Sequence, residues 1–404
     1  MIQETDNKKD VSFKAPWVGH MRHRADPNRV NGRQVPSPGR FDRQPANKPT
    51  PAPQTDHPPM AASRKDGQSV DGEPSYYDVP ILQQPVWKWQ IATYFYLGGI
   101  SAGAYVLGRV AEHAGGGRFH TLSRAASAVA LATIIPSPGL LIGDLGDPRR
   151  FHHMLRVWKP STPMNLGSWV ITLFGAHAAF DVVRQSVKAR GESLRAEQKG
   201  KLRQLMNSGT LMMIHDAAGV PLAFMVATYT GVLLSCTSNP LWCKNPWLAP
   251  LFAASSISTG AEAVSLAMDW RGVRSEEQAA LQRTDTLAHV AEALTMRGFL
   301  QHAGEKADPL RRGRMRSCLY VATGAVVAAE LVKLIPLSQR LERPRRILSM
   351  ALGLAGGLAL RWAMVYGGHE AAADPHLSRA VSRQRNKNGQ PSRSAQRVGA
   401  RQVE

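Results

Sequence analysis

Eight apolar segments occupy the middle of this sequence, and each is close to the ~20 residues that a helix needs to cross the hydrocarbon core of a bilayer. Most of them are too long to be strands, so the sequence predicts an all-α integral membrane bundle of about eight transmembrane helices. The segments are 89–110, 121–143, 166–186, 208–235, 247–269, 284–302, 317–336 and 347–367.

The sixth segment is more polar than the others, because it contains His289, Glu292 and Arg297. Charged side chains at membrane depth must face protein or a water-filled cavity. The segment is therefore either a span with a polar inner side, which we favour, or a short interfacial helix.

Two polar tails flank the predicted transmembrane domain, which covers residues 76–370. Residues 1–75 are rich in Pro and charged residues, and residues 371–404 are rich in Arg. We predict that both tails are disordered. Much of the formal charge of +20 lies in these tails and in short loops between apolar segments, which favours membrane topology over nucleic-acid binding.

The three cysteines are too few to hold an iron–sulfur cluster with four thiolates, and the sequence has no CxxCH haem-attachment motif. We therefore predict that the protein has no metal or haem of its own. Cys236 and Cys243 flank a short loop on the side of the tails. They are either a disulfide, in an oxidising compartment, or two free thiols.

Eight spans place both tails on the same side of the membrane. The loops opposite the tails, with Arg109 and Arg184 assigned to them, contain more Lys and Arg than the tail-side loops. Cytoplasmic loops are enriched in these residues, so the tails are predicted to be periplasmic. The basic C-terminal tail argues for the opposite orientation.

Several ionisable residues lie inside the predicted spans, where an unpaired charge is costly. We predict that some of them form a polar route for protons: His177, Asp216, Glu262, Glu292, Glu330 and Arg361. The alternative is structural pairing, for example of Arg361 with Glu292 or Glu330. His177 and His215 also have the residue type for haem ligation, but a single pair is weak support for it.

A carboxylate, Asp144, follows the second span in the segment GDLGDPRRFHHMLRVWKPSTPMNLGSW (143–169). Gly146 and Pro148 are predicted to end the helix there, and arginines and histidines follow on the loop. A carboxylate at a membrane edge beside cations and imidazoles suits proton-coupled chemistry on a ligand dissolved in the bilayer.

The same membrane edge has the groups that a quinone site requires, which are an apolar slot, polar partners for two ring oxygens and a proton-exchanging group. Gln90 and Tyr94 are four residues apart on one face of the first span, and Tyr229 lies near the end of the fourth. With Asp144 they form the predicted site. Alternatively, the tyrosines are membrane-interface anchors.

Four stretches resemble one family of membrane proteins. They are PVWKWQIATYFYLGGISAGAY (85–105), LLIGDLGDPRRFHHMLRVWKPSTPMNLGSW (140–169), YTGVLLSCTSNPLWCKNPWLAPLFAASSISTGAEAVSL (229–266) and LALRWAMVYGG (358–368). They are similar to the NrfD-type family of polysulfide reductase membrane subunits. The resemblance covers about residues 76–370, and its most specific elements are DLGDPRRF with STPMN and SISTGA.

The resemblance implies an eight-helix subunit of a respiratory complex in a bacterial inner membrane, without a redox metal of its own. Such a subunit binds menaquinone or ubiquinone near the face where a ferredoxin-like iron–sulfur subunit docks. Electrons then pass between the quinone pool and that subunit, and often onward to a molybdopterin or cytochrome partner. Membrane lipid is the other expected partner.

The family's quinone contacts map to Gln90, Tyr94, Asp144 and Tyr229. Asp144, which lies in the shared loop motif, is the predicted catalytic proton acceptor, and the other three residues are placed by helix position. Three other functions stay open, namely a membrane anchor without quinone chemistry, a haem b membrane subunit and a secondary transporter.

Overall fold

The computed structural model describes residues 29–30, 33–34, 82–115, 118–189, 208–270, 276–336 and 338–379. The protein divides into two compact units, residues 1–66 and 67–404. In the described part of the first unit, β1 (Arg29–Val30) pairs antiparallel with β2 (Arg33–Gln34). The predicted disorder of the two tails falls largely outside the described residues, so it stays a prediction.

The second unit is a bundle whose long helices coincide with the eight predicted segments. They are α1 (Trp89–Ala114), α2 (His120–Ile134) with α3 (Pro136–Gly143), α5 (Pro163–Ala189), α6 (Gly209–Ser235), α7 (Leu248–Trp270), α8 (Glu276–Ala303), α10 (Arg316–Leu334) and α11 (Gln339–Ala373). The loops contain short helical turns, which are Pro148–Arg150, α4 (His153–Arg156), Gly304–Ala307 and α9 (Asp308–Arg311).

Among the described residues, seven helices are long and apolar enough to cross a membrane, with α2 and α3 counted as one. Together with the polar helix α8, they confirm the predicted all-α membrane bundle. The last helix continues to Ala373, three residues into the segment that was assigned to the C-terminal tail, and Ala371 and Ala372 are buried.

Helix α8, the polar sixth segment, has 28 residues and is long enough to span the hydrocarbon. Its contacts with the α7 region run antiparallel. Asn245 Nδ2 donates to the carbonyl of Phe299 near one end, and Gln278 Nε2 is 3.4 Å from Asp269 Oδ1 at the other. Since α8 lies along the whole of α7, the geometry favours the spanning interpretation over a short interfacial helix.

The second span is broken at Ile135, immediately before Pro136. A proline inside a helix lacks the N–H for the usual hydrogen bond, and its ring clashes with the preceding turn. The backbone continues as α3, which ends at Gly143 with Asp144 as its C-terminal cap. The predicted position of this carboxylate at a helix end is therefore observed.

Helices α1 and α7 contact each other through small residues. A Cβ atom built on Gly103 would lie 1.9 Å from the carbonyl oxygen of Ser256, and one on Gly260 would lie 2.6 Å from the backbone nitrogen of Ala104. Small residues allow membrane helices to approach until their backbones touch. This contact fixes the register between the two helices.

Replacing Gly103 with Ala is expected to destabilise the bundle by about 1–3 kcal/mol, because the added methyl group forces α1 away from α7. Thermal unfolding of the purified subunit in detergent measures the effect. Gly175→Ala is the matched control, since a Cβ atom there meets nothing within 4 Å. Equal losses of stability in both variants would contradict the proposed packing.

The start of the first helix and the end of the last helix lie on the same side of the bundle. Trp87, just before α1, stacks on Trp242 with 5.6 Å between ring centroids. Trp242 Nε1 in turn donates a hydrogen bond to the carbonyl of Met364 in the last part of α11. We call this side the tail face; it contains the start of α1, the loop after α3, the loop after α6 and the end of α11.

Candidate functional site

Asp144 lies at the tail face, beside the start of α1. Its Oδ1 atom is 3.4 Å from the backbone nitrogen of Lys88, the N-terminal cap of that helix. The first turn of α1 has no acidic residue of its own. The half-buried carboxylate therefore occupies the place where the partial positive charge of a helix N-terminus favours an anion.

Tyr94 on α1 and Tyr229 on α6 are both buried, and these two helices pack against each other. Their exposed fractions are 4% and 9%. A membrane-interface anchor would place its ring among lipid headgroups, so this burial disfavours the anchor interpretation.

The hydroxyl group of Tyr229 is held from the neighbouring helix α5. It donates a hydrogen bond to the carbonyl of Pro163, the first residue of α5. A Cβ atom built on Gly167 would lie 2.4 Å from the Tyr229 hydroxyl oxygen. The tyrosine thus occupies space that only a glycine at position 167 leaves open.

Gln90 lies one helical turn before Tyr94. Its Oε1 atom is buried and has no hydrogen-bond donor among the described residues. Buried polar atoms are rarely left without a partner in folded proteins, so an unsatisfied acceptor here is a candidate contact for a ligand hydroxyl group.

The structure therefore brings the four predicted residues to the tail-face ends of α1, α3 and α6. Between α3, α4 and α5 lies an apolar cavity of about 60 Å³, whose lining includes Ile142 and Leu145 on either side of Asp144, together with Phe151 and Ile171. None of the four predicted residues lines this cavity, which adjoins the Asp144 segment through the neighbouring apolar residues.

His177 and Asp216, two residues of the predicted proton route, belong to a network of charges between α1, α5 and α6. We call it the arginine network. Arg109 Nη2 is 2.9 Å from Asp216 Oδ2, and Arg109 Nη1 is 3.3 Å from Asp181 Oδ1. Arg184 contacts Asp181 at 3.0 Å. Both arginines are buried.

The two histidines of the haem alternative, His177 and His215, contact each other directly at one edge of this network. The Nδ1 atoms of His177 and His215 are 3.0 Å apart, and His215 Nε2 is 3.0 Å from the hydroxyl oxygen of Tyr105. Both ring nitrogens of His215 are thus within hydrogen-bond distance of protein groups, which weakens the haem alternative.

Glu262 and Glu330 belong to a second group of charges, the histidine cluster, in which they surround His289 together with Asp285 and Lys333. His289 Nδ1 is 2.6 Å from Glu330 Oε1. Lys333 Nζ is 2.7 Å from Asp285 Oδ2 and 2.5 Å from Glu330 Oε1. The members lie on α7, α8 and α10.

Glu292 and Arg361 lie nearer the tail face than His289. Glu292 accepts a hydrogen bond from Ser258 Oγ at 3.2 Å. The Arg361 guanidinium lies 4.1 Å above the centroid of the Phe252 ring and donates to the Phe252 carbonyl at 3.1 Å. Among the described residues, Arg361 forms no ion pair within 4 Å, so direct pairing with Glu292 or Glu330 is not observed.

The predicted proton route is thus divided between two places. His177 and Asp216 lie in the arginine network, and the other four residues lie along α7, α8, α10 and α11. Within the described ranges no hydrogen bond or ion pair joins the two sets. The role of these residues in proton movement stays a prediction.

A sequence model of the family described as "Polysulphide reductase, NrfD" matches residues 79–373 of this protein. The protein belongs to the NrfD family. It is similar to the C subunit of the polysulfide reductase of Wolinella succinogenes, with 28% identity over 303 residues, which is 70% of this sequence and 94% of the relative. It is also similar to "Protein NrfD" of Escherichia coli, with 29% identity over 195 residues, which is 45% of this sequence and 59% of that protein.

Some charged residues of this NrfD-family bundle were not identified from the sequence as part of its buried groups. Asp181 is four residues after His177, and Asp285 is four residues before His289. This spacing places each carboxylate on the same helix face as its histidine, which is a usable signal.

Arg109 was missed for a different reason, because its position near the end of a span assigned it to a loop. That assignment is wrong for Arg109 and for Arg184, which are 2% and 1% exposed inside α1 and α5 and are paired with carboxylates. Buried, neutralised arginines do not contribute to loop charge, so the support for periplasmic tails is weaker.

Cys236 and Cys243 are free thiols in the structure. Cys236 is exposed at the end of α6, and Cys243 lies within the following loop. Of the two alternatives for this pair, the structure shows the free thiols.

Proposed function

We propose that this protein is the quinol-interacting membrane subunit of a bacterial respiratory oxidoreductase. In this proposal it exchanges electrons between menaquinone or ubiquinone in the inner membrane and a ferredoxin-like iron–sulfur subunit docked on the tail face. A molybdopterin or cytochrome subunit completes the complex. Membership of the NrfD family supports a membrane subunit of a redox complex, as does the similarity to a subunit of a polysulfide reductase.

The observation that carries the proposal is the position of Asp144 beside the first turn of α1, together with Gln90 on that turn. The half-buried carboxylate adjoins the start of α1, and a buried amide oxygen without a donor among the described residues lies on the first turn of the same helix. A quinol presents two hydroxyl groups on an apolar ring, and this set of acceptors matches them.

Each polar residue then has one task in the proposed reaction. Oxidation of a quinol releases two electrons and two protons. The two electrons pass to the iron–sulfur subunit. Asp144 accepts the proton of one hydroxyl group. The Gln90 amide oxygen accepts a hydrogen bond from the other hydroxyl group, whose proton is released to water at the tail face. Tyr94 donates a hydrogen bond to a ring oxygen as this oxygen loses its proton. The Tyr229 hydroxyl group, which donates to the Pro163 carbonyl, accepts a hydrogen bond from the quinol.

The apolar cavity beside Asp144 would hold the first part of the isoprenoid tail. Its lining includes Leu141 and Ile142 of α3, Ile171 of α5 and the half-exposed Phe151 of the loop that follows α3. A ligand that is mainly in the bilayer could in this way place only its ring among the polar groups.

Binding of a quinone-site inhibitor to the purified complex tests the proposal. We expect saturable binding and about a tenfold loss of affinity in Gly167→Ala, because the new methyl group displaces the Tyr229 hydroxyl and removes about one hydrogen bond. Gly175→Ala, on the same helix with open space around it, is expected to bind normally.

Two outcomes of this experiment would overturn the proposal. Absence of saturable binding to the intact complex would indicate a membrane anchor without quinone chemistry. Equal affinity in Gly167→Ala and the wild type would show that inhibitors bind elsewhere. A Soret absorption band in the purified subunit would indicate a haem b protein instead.

A further inference from the structure

His289, at the centre of the histidine cluster, has one ring nitrogen with a short hydrogen bond and one without. Glu330 Oε1 is 2.6 Å from Nδ1, and an ionised carboxylate can only accept, so the Nδ1 atom carries the proton. The Nε2 atom faces Glu262 Oε1 at 3.5 Å and Asp285 Oδ1 at 3.7 Å. Both separations are too long for good hydrogen bonds.

These two separations are close to the distance between neighbouring ligand atoms around a tetrahedral metal ion. Zinc binds His nitrogen and carboxylate oxygen at about 2.0–2.2 Å, and a tetrahedral angle then places neighbouring ligand atoms about 3.4 Å apart. One ligand atom from each of Glu262, Asp285 and His289 lies within 4.8 Å of the other two. The carboxylate on Nδ1 is also the usual outer partner of a metal-bound histidine.

Glu262 gives independent support for a ligand at this position. Its side chain is 1% exposed, and neither carboxylate oxygen has a hydrogen-bond donor among the described residues. The Oδ1 atom of Asp285 is also buried without a donor. Three buried carboxylate oxygens of these two residues therefore have no donor among the described residues at membrane depth, where an uncompensated carboxylate is strongly unfavourable.

The charges of the cluster indicate the valence of an ion that would suit it. Glu262, Asp285 and Glu330 contribute three carboxylates, and Lys333 is the basic side chain in direct contact with two of them. With all three carboxylates ionised and Lys333 protonated, the cluster has a net charge of −2. A divalent cation would neutralise this charge, and an imidazole ligand favours a transition metal over Mg²⁺ or Na⁺.

The surrounding helices leave both space and access. A Cβ atom on Gly353 of α11 would lie 1.5 Å from Glu262 Oε1, so this glycine allows the carboxylate to reach the cluster. A cavity of about 40 Å³ borders Asp285 and Lys333 and extends to Arg346, toward the side opposite the tail face; Asp285 is the proposed ligand that lines it. This volume is enough for water molecules that exchange with an ion.

We propose that Glu262, Asp285 and His289 form a binding site for a divalent transition metal ion of the Zn²⁺ class, oriented by Glu330. The site replaces the sequence-based expectation of a protein without any metal. Zinc has no redox chemistry, so this ion would stabilise the packing of α7 against α8 and would not act as an electron carrier.

Zinc binding by the full-length subunit, purified in detergent and stripped with a chelator, tests this proposal. Titration against a chromophoric chelator is expected to show one high-affinity Zn²⁺ per subunit that millimolar Mg²⁺ does not displace. We expect Glu262→Gln and His289→Gln to lower the affinity at least about 100-fold, and Glu330→Gln to lower it about 10–100-fold.

Two pairs of variants separate this site from alternatives. Gly353→Ala should abolish tight binding by displacing Glu262, whereas Gly324→Ala, where an added Cβ meets nothing within 4 Å, should preserve it. His152 and His153 have adjacent rings on the tail-face loop and are a rival surface site. Their double replacement by Gln should leave the tight Zn²⁺ in place.

The wild-type titration is decisive even if a variant fails to fold. Absence of tight Zn²⁺ binding by the wild type would overturn the proposal, as would loss of that binding in the His152/His153 double variant. Binding unaffected by Glu262→Gln would overturn it as well. Displacement by Mg²⁺ at equal concentration would exclude the transition-metal class.

Discussion

Quinol oxidation by the assembled complex is expected to fall about 10²–10⁴-fold when Asp144 is replaced by Asn, the range associated with loss of a positioned general base. The amide is nearly isosteric and still accepts a hydrogen bond near the Lys88 nitrogen, so the local fold should persist. It cannot accept a proton at neutral pH. Turnover with a water-soluble quinol and an artificial electron acceptor measures the effect.

Asp147→Asn is the matched control for this prediction. Asp147 lies on the same loop, where it accepts a hydrogen bond from the Arg149 backbone and forms an exposed ion pair with Arg150. Exposed pairs contribute little, so turnover should change by less than about twofold. Unchanged turnover in Asp144→Asn, with all subunits still co-purifying, would remove Asp144 from the mechanism.

The position of Asp144 could be predicted because it depends only on features that are local in the sequence. An apolar run of sufficient length defines a span, and Gly and Pro end the helix at a known residue. The same reasoning located the eight helices and the tail-face ends of α1, α3 and α6. The role of these residues as quinone contacts depends on a ligand and stays a prediction.

Local sequence features could not predict which helices pack against each other. Sequence spacing shows which residues share a helix face, but it does not show which helix that face meets. Contact between α1 and α7 is set by close approach at Gly103, and Glu262 reaches the histidine cluster only because position 353 is glycine. Such complementarity between distant residues has no periodic signal in a single sequence.

The arginine network shows that the location of a charged residue is also uncertain when the packing of the helices is unknown. Arg109 lies near the end of a span, where a sequence-based assignment places it in the loop. Its actual position depends on carboxylates from two other helices, Asp181 and Asp216. A basic residue near a helix end is therefore either a loop cation or half of a buried pair, and only the packing of the helices distinguishes them.

Replacing Arg109 with Met is expected to destabilise the bundle by about 3–5 kcal/mol, because Asp181 and Asp216 then lose a buried cation. Methionine preserves much of the side-chain volume, so loss of charge and hydrogen bonds dominates the effect. Thermal unfolding of the purified subunit in detergent measures it, with the yield of folded protein as a second readout.

His113→Ala is the matched control, because His113 contacts the same carboxylate of Asp216 at 2.6 Å from a side chain that is 63% exposed. A pair with one exposed partner contributes little, and its loss should change stability by less than about 1 kcal/mol. If Arg109→Met and His113→Ala are equally stable, the arginine network does not hold α1, α5 and α6 together. Restoration of stability by Arg109→Met combined with Asp216→Leu would show instead that the uncompensated carboxylate is the cause, since apolar replacements of buried ion pairs are often well tolerated.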